Sequence, residues 1–131
     1  FLLPKGDRQK VACASIICYE PDVLILDEPS TGLDYPSIYS LMRIVDNMNK
    51  KGKTVILITH SIDVASRYGK KILAIKNGEI VYFGLKREFF NNKNLLDKTN
   101  VKLTDIMEMS VSLNNKLLLT EDEFLFCWRK K

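Results

Sequence analysis

Two short apolar runs, each ending in polar groups with chemical capacity, constrain this chain more than any other feature. Residues 23–26 read Val-Leu-Ile-Leu and lead directly into Asp27 and Glu28, while residues 54–59 read Thr-Val-Ile-Leu-Ile-Thr and lead into His60. Neither run alternates polar with apolar residues. Strands apolar on both faces belong to sheets covered by helices on both sides. Between the runs, residues 29–34 form a turn rich in Pro, Ser, Thr and Gly. Ile38, Leu41, Met42, Val45 and Met48 then recur at helical spacing until Gly52 closes the helix. Strand, helix and strand in this order argue for a parallel α/β sheet.

The flanking segments extend that architecture. Residues 8–19 have the composition of a helix, with Asp7 as its expected N-cap and Pro21 ending it. Val11, Ala12, Ala14, Ile16, Ile17 and Cys18 place apolar groups nearly all round it, which predicts deep packing. Residues 62–68 read as a short helix. Residues 71–75 and 79–83 flank Asn77-Gly78, a strong hairpin signal that adds an antiparallel extension to the sheet. Beyond Gly84 the character shifts. Residues 85–96 form a basic, amide-rich helical stretch, residues 94–100 read as a link, and residues 103–109 and 120–128 as short amphipathic helices. Thr120 followed by Glu123 has the form of a capping box.

Composition removes several classes. With 46% hydrophobic and 27% charged residues in 131, the chain is neither disordered, collagenous nor of low complexity. No apolar run approaches the ~20 residues of a membrane-spanning helix. A start at Phe1 with no charged and apolar leader predicts no signal peptide. The net charge of +4 is mild and suits an evenly solvated surface. Cys13, Cys18 and Cys127 show no CxxC spacing, and the first two lie in an apolar stretch, so buried free thiols are expected. His60 is the only imidazole, which argues against a zinc site.

The chemistry concentrates at the two strand ends. Consecutive carboxylates at the end of a buried strand are costly unless they have a task. In open α/β sheets, ligands sit at the carboxyl ends of the strands. One carboxylate there can hold Mg²⁺ directly or through water, and its neighbour can orient or deprotonate a water. Chain alternation sends Asp27 and Glu28 in different directions, which suits two roles. Taken alone, the pair is equally compatible with capping a surface turn. A parallel sheet, however, delivers His60 to the same edge, where an imidazole can donate to a phosphate oxygen or a bound water.

Three segments in order carry a family resemblance. Leu3-Pro4-Lys5-Gly6-Asp7-Arg8-Gln9-Lys10-Val11-Ala12 resembles the signature loop and following helix of ATP-binding-cassette (ABC) ATPases, usually L-S-G-G-Q-x-Q-[RK]-V-A. Asp27-Glu28-Pro29-Ser30-Thr31-Gly32-Leu33-Asp34 is similar to that family's Walker B strand end and D-loop, and Ile58-Thr59-His60 to its switch-histidine loop. Ile75-Lys76-Asn77-Gly78-Glu79-Ile80 is similar to the hairpin that follows. The K-G-D-R-Q variant and the added C-terminal helices lean toward the energy-coupling-factor and cobalt-type importers.

The resemblance implies a fold and a set of roles. The fold is the C-terminal part of a P-loop NTPase domain: a mainly parallel sheet with flanking helices and an antiparallel hairpin, then small C-terminal helices. Residues 1–84 would belong to the ATPase core and residues 85–131 to a helical extension. ATP and Mg²⁺ are the implied substrate and cofactor. Asp27 would be the Mg²⁺-side carboxylate, Glu28 the general base for the attacking water, and His60 the γ-phosphate contact. Leu3, Pro4, Lys5, Gly6 and Asp7 would touch nucleotide held by a second ATPase subunit, with the dipole of the helix behind them favouring phosphate. Asp34 would communicate across that dimer. Transmembrane transporter subunits and the cytoplasmic face of the membrane complete the expectation.

Two departures qualify it. Pro4 stands where the family has Ser, which removes a hydroxyl and a backbone donor, and Lys5 does not replace that hydroxyl. The phosphate-cradling G-x-x-x-x-G-K-[ST] is also not found. Gly52-Lys53-Thr54 has Asn47 at the first glycine position and opens a strand, and Gly69-Lys70-Lys71 has Val64 there. The phosphate loop is therefore expected upstream of Phe1. Two readings follow: an ATP-hydrolysing transporter subunit, with these residues inactive when separated from the phosphate loop, or a non-catalytic dimerisation or regulatory piece of such an ATPase. No nucleic-acid partner is expected, because neither a long heptad segment nor a concentrated basic stripe is present. Apolar surface is expected where neighbouring strands would belong.

Overall fold

The computed structural model describes residues 3–114 and 116–129, the side chains of Lys5 and Asn114 excepted. The element order is α1 (Lys5–Ile17), β1 (Val23–Asp27), α2 (Tyr35–Lys50), β2 (Thr54–Ile58), α3 (Ile62–Tyr68), β3 (Lys71–Lys76), β4 (Glu79–Leu85), α4 (Lys86–Asn91), α5 (Lys93–Thr99), α6 (Asp105–Asn114) and α7 (Glu121–Trp128). These form two compact units, 1–60 and 61–131.

In the first unit, β1 and β2 pair in parallel from Val23 opposite Thr54 to Asp27 opposite Ile58. The crossover is α2, which packs against β2. Asp34 caps it, accepting the Ser37 N–H at 3.1 Å, and Pro36 sits in the first turn, where no amide donor is needed. Its buried face is Ser37, Leu41, Met42, Val45 and Met48, which contains four of the five apolar positions expected from spacing. Leu24 and Leu26 are buried on one face of β1, while Val23, Ile25, Ile56 and Ile58 are exposed on the other. The absence of alternation in sequence therefore corresponds to a pair covered on one face and open and apolar on the other, among the described residues.

Helix α1 departs from expectation. It starts at Lys5, with Pro4 at the capping position, and Asp7 lies inside its first turn, paired with Lys10 at 3.1 Å. A fixed proline φ suits a helix start, and an acidic first-turn residue is favoured by the dipole. The helix ends at Ile17, and Glu20 turns left-handed (φ 46°) just before Pro21. Deep packing is not found either: Cys13 is buried, but Val11 and Ile16 are 58% and 50% exposed. No described surface covers that side of α1. Of the three free cysteines, Cys13 is buried, with its thiol pKa raised by desolvation, whereas Cys18 is exposed.

The second unit is built on the hairpin. Asn77 (φ 52°) and Gly78 (φ 81°) are both left-handed, as a two-residue primed turn requires. Ile72, Ala74 and Tyr82 face a core of Phe89, Phe90, Leu96, Met107, Leu117 and Leu119. The opposite face, with Leu73, Ile75, Ile80, Phe83 and Leu85, is exposed. Among the described residues the hairpin forms its own two-stranded sheet, separate from β1–β2. The single helical stretch expected over residues 85–96 is two helices, broken at Asn92, whose side chain caps α5 by accepting the Leu95 N–H at 3.2 Å. The expected link over residues 94–100 is α5 itself, ended by Asn100 in the left-handed conformation (φ 60°). Its amide-rich composition concealed a helix whose Leu96 enters the core. At α7, Thr120 accepts the Glu123 N–H, while Glu123 accepts the Leu119 N–H at 2.9 Å, one residue before the usual capping-box partner.

The Asp34 cap carries a pH signature. Hydrogen bonds from Ser37, side chain and backbone, hold its carboxyl below the ordinary 3.8. A depressed pKa contributes stability that is present above the unfolded value and is lost as pH falls from there through the lower folded value. Thermal melts of wild type and Asp34→Asn, which caps without a charge, should therefore converge as pH drops from about 5 to about 3. Parallel curves across that range would exclude the Asp34 carboxylate as the cause.

Candidate active site at the β1 and β2 strand ends

The parallel register brings the polar ends of both strands to one edge, with Asp27 opposite Ile58. There the chain leaves β1 through Glu28 in a left-handed backbone conformation (φ 44°). A non-glycine residue in that region costs about 1 kcal/mol or more and persists only where its surroundings enforce it. The enforcing contacts are visible. The Glu28 N–H donates to the Ile58 carbonyl at 2.9 Å, continuing the ladder, and the buried Pro29 follows.

The result is a carboxylate gripped by the neighbouring strand end. Glu28 Oε1 accepts the His60 backbone N–H at 2.8 Å and lies 2.7 Å from His60 Nδ1. Glu28 Oε2 accepts the Thr59 hydroxyl at 3.4 Å. The Glu28 side chain is 32% exposed and the imidazole 85%, so the pair is half-sheltered and open to solvent through His60. A carboxylate so oriented, beside an accessible imidazole, can take a proton from a bound water while the ring donates to an anion.

Asp27 is exposed on the open face of β1. Among the described residues no group of three or more His, Cys, Asp or Glu side chains could hold a metal ion. Mg²⁺ is commonly held by one or two carboxylates, with phosphates and waters completing the shell. The single Asp27 carboxylate fits this pattern.

The remaining expected residues are placed as follows. Leu3 is 52% exposed, Pro4 is exposed, and the Lys5 side chain lies outside the described residues. At Gly6 a Cβ would come within 3.1 Å of the Gly32 carbonyl oxygen and 3.5 Å of Leu33 Cδ2. The start of α1 and the 30–34 turn are thus in close apposition. The carboxylates of Asp7 and Asp34 serve local partners, Lys10 and Ser37. Sequence reasoning did not assign the Thr59 hydroxyl a role, and it missed the left-handed backbone at Glu28. The one available signal was Pro29, which disfavours a right-handed helical conformation in the residue before it.

Known proteins are similar to this chain in sequence and fold. A family model described as "AAA domain, putative AbiEii toxin, Type IV TA system" matches residues 1–66. An energy-coupling factor transporter ATP-binding protein of Methanospirillum hungatei is 34% identical over 118 residues, 90% of this chain and 30% of that protein. One from Methanocaldococcus jannaschii is 33% identical over 114 residues, 87% of this chain and 41% of that protein. The chain thus spans less than half the length of these curated relatives. Among solved structures, the ATP-binding subunit of an ABC transporter superposes with a TM-score of 0.68 at 30% identity, covering 76% of this chain and 43% of that one. A dimeric ATP-binding cassette bound to ADP and Pi gives 0.59 at 32%, covering 63% and 36%. From the motifs, the α/β fold and these similarities, the chain belongs to the ATP-binding-cassette ATPases.

Proposed function

We propose that these residues form the water-activating part of an ATP-hydrolysing subunit that energises a membrane transporter. The observation that carries this reading is the direct bonding of Glu28 to His60 and its backbone N–H at the paired ends of two parallel strands. In this reading Glu28 orients the attacking water and accepts its proton, and His60, held by the same carboxylate, donates to the γ-phosphate. Asp27 holds Mg²⁺, which when bound neutralises charge on the transferring phosphoryl group. Gly6 and the other residues at 3–7 face nucleotide held by a second ATPase subunit, identical or paralogous, and Asp34 belongs to the turn that couples the two sites. Pro4 supplies no hydroxyl there, so the pair is proposed to be asymmetric in its phosphate contacts. Residues 1–84 act as ATPase core and residues 85–131 as a helical extension. The assembly sits against transmembrane subunits at the cytoplasmic face of the membrane; no described helix is long and apolar enough to cross it.

Nucleotide grip requires a glycine-rich phosphate loop, which is not found in these 131 residues. That leaves a non-catalytic dimerisation or regulatory role as the competing reading. Phosphate release by the transporter ATPase carrying this chain, measured with and without Mg²⁺, decides between them. Mg²⁺-dependent turnover supports the proposal. Absence of Mg²⁺-dependent phosphate release in the assembled complex overturns it.

A further inference from the structure

Three successive residues at the end of β2 hold Glu28. The Ile58 carbonyl accepts the Glu28 N–H at 2.9 Å, and the Thr59 hydroxyl donates to Oε2 at 3.4 Å. His60 reaches Oε1 through its backbone N–H at 2.8 Å and its ring Nδ1 at 2.7 Å. The two carboxylate oxygens are therefore treated unequally. An ionised carboxylate only accepts hydrogen bonds, with about two lone-pair positions on each oxygen. His60 fills both positions on Oε1. Among the described residues Oε2 meets one donor, the Thr59 hydroxyl, and keeps a position for a proton.

The two holds also differ in shelter. The His60 side chain is 85% exposed, whereas Thr59 is half-buried beside Glu28. A hydrogen bond shielded from water is electrostatically stronger than the same bond in solvent. The terminal torsion of a glutamate is soft, so an anchor on one oxygen leaves the plane of the carboxylate free to turn about it. A second anchor on the other oxygen fixes that plane. At 3.4 Å the Thr59 contact exceeds the usual hydroxyl range of about 2.5–3.0 Å, as catalytic hydrogen bonds commonly do before substrate tightens the site.

We propose that Thr59 is a positioning residue for the water-activating carboxylate: its hydroxyl aims Oε2, and Oε2 is the atom that takes the proton. This rests on the role proposed for Glu28. In the step itself one O–H bond of water breaks, its proton goes to the open position on Oε2, and its electron pair stays on the water oxygen. That oxygen bonds to the γ-phosphorus as the bond from phosphorus to the leaving ADP oxygen breaks. Thr59 exchanges no proton.

Steady-state kinetics of the assembled transporter ATPase carrying this chain test this. Thr59→Val and Thr59→Ala both remove the hydroxyl, the first keeping the side-chain shape, while Thr59→Ser retains it. Both hydroxyl-free variants should lose about three- to tenfold in kcat, with KM for ATP within about twofold of wild type. Thr59→Ser should stay within about twofold of wild type in both. In Glu28→Gln no group takes the proton, so adding Thr59→Val should change the residual turnover less than about twofold. The proposal is overturned if Thr59→Val keeps wild-type kcat, if Thr59→Ser falls as far as Thr59→Ala, if the loss appears in KM instead, or if it persists in full beside Glu28→Gln. Failure of the underlying reading looks different: Glu28→Gln alone would then turn over like wild type, and the role of Thr59 would fall with it.

Discussion

Glu28→Gln is expected to lower ATP turnover by about 10²- to 10⁴-fold in the assembled ATPase, the range a positioned general base contributes. The amide keeps the shape of the side chain, and its carbonyl oxygen can still accept the His60 N–H that Glu28 Oε1 accepts at 2.8 Å. It cannot take a proton from water. The expected signature is therefore retained nucleotide binding with a collapsed kcat, measured as steady-state phosphate release beside equilibrium binding of labelled ATP. Circular dichroism of the variant should match wild type, because the left-handed backbone at Glu28 is held by the Glu28 N–H to Ile58 carbonyl bond, which the substitution leaves alone. Wild-type turnover in Glu28→Gln would remove Glu28 from the mechanism.

The largest expected stability effect lies in the second unit. Met107 is 0% exposed and belongs to the cluster of Phe89, Phe90, Leu96, Leu117 and Leu119. Met107→Ala should cost about 2–5 kcal/mol, the transfer term for the lost atoms plus the cavity they leave. A domain of this size is stable by about 5–15 kcal/mol in total, so the loss is a large share. Leu125→Ala, at a residue 48% exposed, should change stability by less than about 0.5 kcal/mol. Urea unfolding monitored by far-ultraviolet circular dichroism separates the two, through a shifted midpoint at an unchanged slope. Equal midpoints for the two variants would show that the cluster does not hold the unit together.

Much of this was legible in the sequence because local and long-range signals agreed. Asp34 is followed by a helix with apolar residues at the right spacing, and Asn77-Gly78 admits few structures other than a tight hairpin. The strand ends at Asp27 and Ile58 could be placed at one edge from the strand–helix–strand order alone. Three features were not legible. The start of α1 was misplaced because Asp7 is a good cap by type, yet Pro4 occupies that position and Asp7 binds Lys10. The break at Asn92 depends on one side chain capping the next helix, which composition does not distinguish from solvation. The division of the chain after His60 follows from the hairpin sharing its core with α4 to α6, a non-local fact that motif spacing does not encode.

The two sheets also differ in how their strands find each other. Val23 and Thr54 are 31 positions apart (54 − 23), whereas Lys76 and Glu79 are three apart (79 − 76). Loop-closure entropy rises as (3/2)RT ln n, so the tenfold longer connection costs about 2 kcal/mol more before any contact repays it. Parallel pairing across a helix is correspondingly slow to form, and a two-residue hairpin is fast. When the whole chain refolds from denaturant, the hairpin is therefore expected to close before the parallel pair. Glu28 and His60, which meet only through that parallel pairing, are expected to come together in the slower step.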